Sequence, residues 1–419
     1  MTDAALASGV RERARAVAVH PVTLWAAFIL VHLALGLICL THPSLPMGDV
    51  TIVYEFWMRR GLEADLWVGI DTAWVYPLLA MVPMLLATVF GWSSYASTWI
   101  ALVFVVDAVA FAVLLHRGRS GRTTAGAAWW WIAFLVAVGP IALGRIDAFA
   151  TAVAVVGVLV IVAHPALGGA LLAAGAWIKV WPAALVAAAV IALRQRLVVV
   201  SAAAVTTALV LVGGLVLGGG TSLFSFITEQ SGRGLQIESV LAVPAMWTAW
   251  AGAGTFVYYD QSILTYQLQG PGTELAASLS TPLLAIAVVA VCALGAVGAL
   301  RRIPESRMLP LLLLAFTVAL IAFNKVGSPQ FATWLVAPIL FGIVSARLAG
   351  GSSFRVPAVL GLLVAALTQV VYPYWYGKLL GLDTVALIAL SARNVLYVLL
   401  FVWAVAALIH EIRSEPELA

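Results

Sequence analysis

Apolar stretches of membrane-helix type recur along almost the whole chain, and they dictate its fold class before any motif is considered. The first runs from Val22 to Leu40. Eleven more are expected at 95–115, 125–142, 148–163, 167–178, 183–193, 197–217, 281–300, 308–323, 331–346, 356–374 and 386–409. Inside a bilayer every backbone polar group must be satisfied within the protein, so stretches of this kind become helices. The expectation is an all-α polytopic membrane protein with about twelve transmembrane helices. Composition excludes a soluble alternative: hydrophobic residues make up 63% of the 419 and charged residues only 10%, against ~45–50% and ~25% in soluble domains. The two cysteines, Cys39 and Cys292, lie inside apolar runs and read as reduced packing residues.

Charge sets the topology. Arg11, Arg13 and Arg15 precede the first helix, which has neither the short core nor the cleavage site of a secretory signal, so it reads as retained with a cytoplasmic N-terminus. Two regions bear on the parity. The stretch 75–90 is apolar but short, with Pro77 and Pro83, and is read as a juxtamembrane or re-entrant helix in a long outer loop, 41–94. The stretch 167–193 is read as two short helices hinged at Lys179-Val180-Trp181-Pro182, because a single span would turn Arg194 and Arg196 outward. Fourteen basic residues then lie inside, among them Arg117, Arg119, Arg122, Arg301, Arg302 and Arg355, and seven outside. The even number of crossings returns the C-terminus to the cytoplasm. The whole chain, 1–419, is one membrane domain: a helix module at 22–217, an outer loop with juxtamembrane helices at 218–280, and C-terminal helices at 281–410.

The outer helix ends collect the polar chemistry. Gly48-Asp49 is followed by Tyr54, Glu55, Trp57, Arg59 and Arg60. Arg145 and Asp147 share one tight turn, Lys179 occupies the next outer hinge, and SGRGLQIES (231–239) carries Arg233, Gln236 and Glu238. A later turn, 324–330, carries Lys325 and Gln330. Charges this close to hydrocarbon are costly and are usually paired or functional. Carboxylates beside several cations suit work on an anionic lipid headgroup. Each also has a plainer reading. Arg145 and Asp147 could simply pair with each other or cap a helix, Lys179 could snorkel to headgroups, and Arg59 and Arg60 fit lipid anchors. Trp129, Trp130 and Trp131 read as interfacial packing. Asp107 and Arg393, within helices, stay open between internal partners and site residues. The six histidines lack metal-ligand spacing, and no Walker or dinucleotide motif occurs. No cofactor is indicated; a divalent cation is compatible with the spacing but not required by it.

In their order these motifs resemble glycosyltransferase family 87, polyprenyl-phosphate-sugar-dependent membrane transferases of the GT-C fold class. Four stretches carry the likeness over residues 20 to 345: Asp49 and Tyr54 with Tyr76-Pro77; Arg145-x-Asp147; Ile178-Lys-Val-Trp-Pro182; and Arg233-Gly-Leu-Gln-Ile-Glu-Ser239 with Asn324-Lys-Val-Gly-Ser-Pro-Gln330. The chain departs from the family in having Leu78 where a second proline often follows and Val75 where an acidic residue often precedes the tyrosine. The resemblance implies transfer of a sugar, usually mannose, from a polyprenyl-phosphate donor to a glycolipid or lipoglycan acceptor on the outer face of the cell membrane. No nucleic acid is involved.

A phosphate leaving group needs positive charge more than it needs an acid, and an attacking hydroxyl needs a base. Asp49 is the expected base, with Arg145, Lys179, Arg233 and Lys325 as phosphate ligands. Gln236, Glu238 and Gln330 are expected on sugar hydroxyls, and Tyr54 and Trp57 against a sugar face; Tyr76 and Asp147 complete the site. The rival reading is a twelve-helix secondary transporter or lipid-linked-sugar flippase. It would show related halves and charges at mid-membrane; only Asp107 and Arg393 favour it.

Overall fold

A computed structural model describes residues 16–117 and 122–414; Arg11, Arg13, Arg15 and Arg119 lie outside them. In chain order the helices are α1 (Pro21–Thr41), α2 (Glu55–Ala64), α3 (Met81–Leu86), α4 (Tyr95–His116), α5 (Arg122–Val138), α6 (Asp147–Val160), α7 (Pro165–Ile178), α8 (Pro182–Ala192) and α9 (Arg196–Val216). There follow α10 (Ser225–Ser231), α11 (Val243–Trp250), α12 (Thr273–Leu300), α13 (Glu305–Ala322), α14 (Val336–Ala349), α15 (Arg355–Gln369), α16 (Tyr376–Leu380) and α17 (Thr384–Ser414). The chain is therefore a helical, multi-pass membrane protein.

Among the described residues nine helical segments are long and apolar enough to cross a bilayer. Three helices of the expected twelve are not: α6 and α7 have 14 residues and α8 has 11, or about 21 Å and about 17 Å at 1.5 Å per residue, short of the ~30 Å hydrocarbon core. All three nevertheless run between the ends that the long helices join. Lys179, after α7, lies beside Asp147 at the start of α6. Gly169, early in α7, packs on Val199 at the start of α9. Arg194, after α8, bonds Glu305 at the start of α13. The hinge between α7 and α8 is where it was expected. Lys179 has an extended backbone, and Pro182 opens α8, where its missing N–H costs nothing.

Burial separates an inner from an outer layer of helices. α6 and α13 are buried over most of their length, whereas α9 buries only Val199 and Gly214 and turns its Val- and Leu-rich surface outward. A helix apolar all round and exposed all round is stable only in lipid. The stretch 75–90 contains α3 and a 3-10 turn at Leu78–Ala80, too short to span.

The two ends of the bundle differ in chemistry. Arg194, Arg301, Arg307 and Arg347 gather at one end, where Arg301 bonds the Ile412 carbonyl, Arg307 lies 3.9 Å from Glu411 and Arg347 lies against Gly126. Asp49, Arg145, Asp147, Lys179, Arg233 and Glu238 gather at the other. The expectation of helices alone in 218–280 needs one correction. Besides α10 and α11, that segment holds a three-stranded antiparallel sheet, β1 (Leu235–Gln236), β2 (Phe256–Asp260) and β3 (Thr265–Gln269), in the order β1-β3-β2. Its β2–β3 hairpin is rich in tyrosine, valine and phenylalanine, which favour a pleated, half-buried surface.

Asp107 finds an internal partner. Its Oδ2 lies 3.1 Å from His32 Nε2, and His32 Nδ1 lies 2.9 Å from the Phe28 carbonyl, so α1 and α4 share one buried polar link. Arg59 is bridged to Glu55 at 2.8 Å and lies over the Trp92 ring, the arrangement of an interfacial anchor. Trp129 and Trp130 donate to the Ala18 and Ala358 carbonyls and act in packing.

Candidate functional site

A wide π-helical turn, Asp49–Tyr54, carries the chain from the loop after α1 into α2. Such turns are rare and concentrate at functional sites. Asp49 Oδ2 is 3.0 Å from Arg145 Nε; the aspartate side chain is 39% exposed and the arginine 7%. Arg145 spends its other donors inside the protein: Nη1 donates to the Pro46 and Gly144 carbonyls at 2.9 and 2.8 Å, and Nη2 to Tyr372 Oη at 2.7 Å. Gly144 is required here because a Cβ would stand 2.7 Å from the Pro46 carbonyl oxygen. Burial works against the charge of Arg145, but Asp49, Tyr372 and Tyr54 outweigh it and hold the guanidinium charged. Arg145 is thus a strap that aims Asp49, with little left to offer a phosphate. Among the described residues Asp49 Oδ1 has no partner, and the side chain is part-exposed.

Arg145 and Asp147 do not pair with each other. Asp147 opens α6, and its buried Oδ1 accepts 2.7 Å from Trp334 Nε1. Its Oδ2 makes no hydrogen bond, the nearest cation being Lys179 Nζ at 3.4 Å. Lys179 also sits 4.5 Å above the Tyr76 ring. Burial opposes the ammonium charge, but Asp147 and Tyr76 more than compensate and its pKa is raised. Tyr54 Oη lies 3.3 Å from Tyr76 Oη and accepts from the Ile146 amide at 3.4 Å, with Trp57 stacked on Tyr54. Contacts therefore run unbroken from Asp49 through Arg145, Ile146, Tyr54 and Tyr76 to Lys179.

Arg233 stands within the electrostatic reach of both Lys179 and Tyr76. It is half-buried, its Nε is buried with no hydrogen-bond partner, and burial lowers its pKa. Among the described residues it makes no ion pair. A half-buried guanidinium with an unspent donor, in the field of Glu229 and Asp260, is a candidate anion ligand at this end of the bundle.

The two most specific stretches of the sequence meet directly. The Gln236 amide donates to the Lys325 carbonyl at 3.1 Å, and Gly327 packs on the Glu238-Ser239 backbone so tightly that a Cβ would collide with it. Gly327→Ala should therefore part the two loops, at a cost of about 1–3 kcal/mol as for other overpacked sites, seen as a lowered thermal midpoint in detergent. Lys325 is half-buried, and burial lowers its pKa. Gln330 is buried, with Oε1 accepting from Ser328 Oγ at 2.7 Å.

Glu238 has a structural occupation. Arg393 Nη1 donates to its Oε2 at 2.7 Å and Nη2 to its main-chain oxygen at 2.7 Å, both side chains being 3% exposed. Asn394 Nδ2 donates to the Glu238 and Ser239 carbonyls. Arg393 thus holds the 233–239 loop onto α17, and Glu238 is not presented to a sugar. Burial pushes the Glu238 carboxyl above the usual range, against the pull of Arg393.

Sequence reasoning missed Tyr372 and Tyr376, both beyond residue 345. Tyr372 accepts from Arg145 and presents its ring 5.4 Å from that guanidinium. The signal available was the density of aromatic residues in Tyr372-Pro-Tyr-Trp-Tyr376, a polar-edged cluster at the end of an apolar run. Trp334, the partner of Asp147, was likewise unflagged.

Among the described residues no three His, Cys, Asp or Glu side chains converge as a metal set. A cavity of about 420 Å³ lies at the opposite, arginine-rich end, between Arg194, Arg302 and Glu305. No protein-family model matches the chain, and no curated protein matches it. The arrangement itself offers a half-exposed carboxylate held by Arg145, a half-buried guanidinium with an unspent Nε, and Lys179 against a Tyr54–Tyr76–Trp57 aromatic wall.

Proposed function

We propose that this protein is an inverting glycosyltransferase that takes a sugar from a polyprenyl-phosphate donor. The sugar passes to a glycolipid or lipoglycan acceptor at the outer face of the cell membrane. The reading rests on one observation above all: Asp49, fixed by Arg145 with Oδ1 unpartnered, shares one end of a lipid-embedded bundle with the unspent Arg233 and with Lys179. Mannose is the sugar that the family 87 resemblance implies. A donor held in the membrane by its own lipid explains why the chain carries no nucleotide-binding motif. Counting α6, α7 and α8 as crossings gives twelve, and with the positive-inside rule this supports a cytoplasmic arginine-rich end with both termini inside and the Asp49 end outside.

In the reaction the acceptor hydroxyl oxygen attacks the anomeric carbon while Asp49 takes its proton. The bond from that carbon to the phosphate oxygen breaks on the far side, and the electron pair leaves with the polyprenyl phosphate. The transition state has oxocarbenium character and the configuration inverts, as in inverting glycoside hydrolysis. Arg233, with Lys179 near it and Lys325 on the loop that meets Gln236, meets the negative charge that grows on the departing phosphate. Tyr54, Tyr76, Gln236 and Gln330 shape the surrounding wall. The transporter reading draws on Asp107 and Arg393, and each has an internal partner, His32 for the one and Glu238 for the other.

The direct test offers purified protein several polyprenyl-phosphate sugars together with a membrane lipid extract and reads the products by mass spectrometry. A lipid gaining one hexose supports transfer; unchanged lipids with every donor refute it. Arg233→Ala should raise the donor KM about 10- to 100-fold, the value of one charge-assisted hydrogen bond of about 1.5–3 kcal/mol, with the acceptor KM little changed.

A further inference from the structure

The β2–β3 hairpin places aromatic side chains where an acceptor would have to approach Asp49. Cross-strand pairing sets Tyr259 opposite Tyr266, so both project from the same face of the sheet. Their ring centroids are 4.9 Å apart. The row then continues off the hairpin: Tyr266 to Tyr376 at 5.9 Å, and Tyr376 to Tyr372 at 5.2 Å. It ends at Arg145, which donates to Tyr372 Oη and aims Asp49. Four tyrosines from three separate segments thus form one strip, from the exposed hairpin to the proposed base.

The strip is accessible and its polar groups are unspent. Tyr259 is 45% exposed and Tyr266, Tyr372 and Tyr376 are half-buried. Among the described residues the hydroxyls of Tyr259, Tyr266 and Tyr376 form no hydrogen bond with the protein. A core built for packing alone would hide such rings and satisfy such hydroxyls. Tyr376 is in the field of Glu238 and, more weakly, of Arg145, and Tyr259 is in that of Asp49.

We propose that Tyr259, Tyr266, Tyr376 and Tyr372 form a binding strip for a neutral saccharide, the glycan part of the acceptor, with its reacting hydroxyl delivered to Asp49 Oδ1. A ring of a pyranose presents apolar C–H faces and a rim of hydroxyls. Tyrosine matches both, giving a flat surface for the first and a donor-acceptor group for the second. Among the described residues no cation lies over the rings of Tyr259, Tyr266 or Tyr376, and Arg145, over Tyr372, has its donors largely committed, so the rings themselves favour a neutral ligand. Donor binding is assigned to Arg233 and Lys179, and acceptor binding to the tyrosines, with Asp260 of the hairpin inside the electrostatic reach of Arg233. This inference rests on the transferase reading for the name of the sugar's role, but the saccharide site can be tested without it.

The binding arm uses saturation-transfer NMR on the purified full chain in detergent, with a neutral manno-trisaccharide as probe. The wild type should pass magnetisation to the ring C–H protons of the sugar. The Tyr259→Ala/Tyr266→Leu double variant should lose most of that signal, with its elution profile and thermal midpoint unchanged. The kinetic arm uses Tyr259→Ala, whose exposed ring carries little folding risk: the acceptor KM should rise about 10-fold, the equivalent of about 1.4 kcal/mol, with the donor KM unchanged. Tyr376→Phe, which keeps the ring and removes the hydroxyl, should give a smaller rise in the same constant. Absence of sugar contact in the wild type, equal contact in the double variant, or an unchanged acceptor KM would each overturn the proposal. Sugar contact that the double variant loses, in a protein that transfers no hexose from any donor, would leave the saccharide strip standing and remove the transferase reading alone.

Discussion

Asp49→Asn is expected to lower kcat about 10³-fold while the protein still inserts, folds and binds donor. General-base catalysis contributes typically 10²–10⁴-fold, and an amide cannot accept the acceptor's proton. The fold should tolerate the change because Arg145 retains the Pro46 and Gly144 carbonyls and Tyr372 Oη. Asp49→Glu separates the two roles of the carboxylate. It restores the charge opposite Arg145 but moves the oxygens by about one methylene, and a displacement of about 1 Å can cost about 10²-fold. Single-turnover transfer with saturating donor, beside thermal unfolding of the same preparations, is the measurement. If Asp49→Asn kept more than a tenth of the wild-type rate, the carboxylate would be a structural counter-ion of Arg145, and the proposed mechanism would fail.

The second large effect concerns stability. Arg393→Leu leaves Glu238 buried without its cation, and Glu238→Gln leaves Arg393 in the same position. Breaking a fully buried pair from one side costs about 3–5 kcal/mol, against the ~1 kcal/mol or less of an exposed pair such as Arg194 with Glu305. Both variants should unfold at clearly lower temperature in detergent, while Arg194→Ala should not move the midpoint. Arg393→Lys should fall between, since an ammonium cannot serve Oε2 and the main-chain oxygen of Glu238 with two parallel donors. Because Glu238 anchors the loop that carries Arg233, any surviving Arg393→Leu protein should also show a raised donor KM. A midpoint equal to that of the wild type would show the pair to be dispensable.

The membrane class and the helix positions were legible because both follow from local hydrophobicity. The α7–α8 break was legible for a further reason: Pro182 and the charges of Arg194 and Arg196 constrained it independently. Local pattern also reached Asp49, Lys179 and Arg233, which stand out as charges at helix ends. It did not reach their partners. Arg145 with Tyr372 and Glu238 with Arg393 are separated by 227 and 155 residues, and no short-range periodicity reports such pairings. Arg145 and Asp147, two residues apart, invited a local pairing that the turn does not make, because one side chain faces the Asp49 loop and the other faces Trp334 and Lys179. The β2–β3 hairpin escaped notice because strands of five residues, joined without an Asn-Gly turn, are hard to distinguish beside 28- and 31-residue helices.

The brevity of α6, α7 and α8 carries a consequence of its own. At about 21 Å, α6 is shorter than a ~30 Å hydrocarbon core, and Asp147 at its start is 1% exposed and Lys179 beside it 17%, so this charged pair lies within the protein and away from a solvated rim. Hydrophobic mismatch that would thin a bilayer around a lone short helix is absorbed here by the surrounding protein, since α6 is sheathed by other helices. On the transferase reading, a long-chain donor would then meet Lys179 among protein side chains while its tail stayed dissolved in its own leaflet.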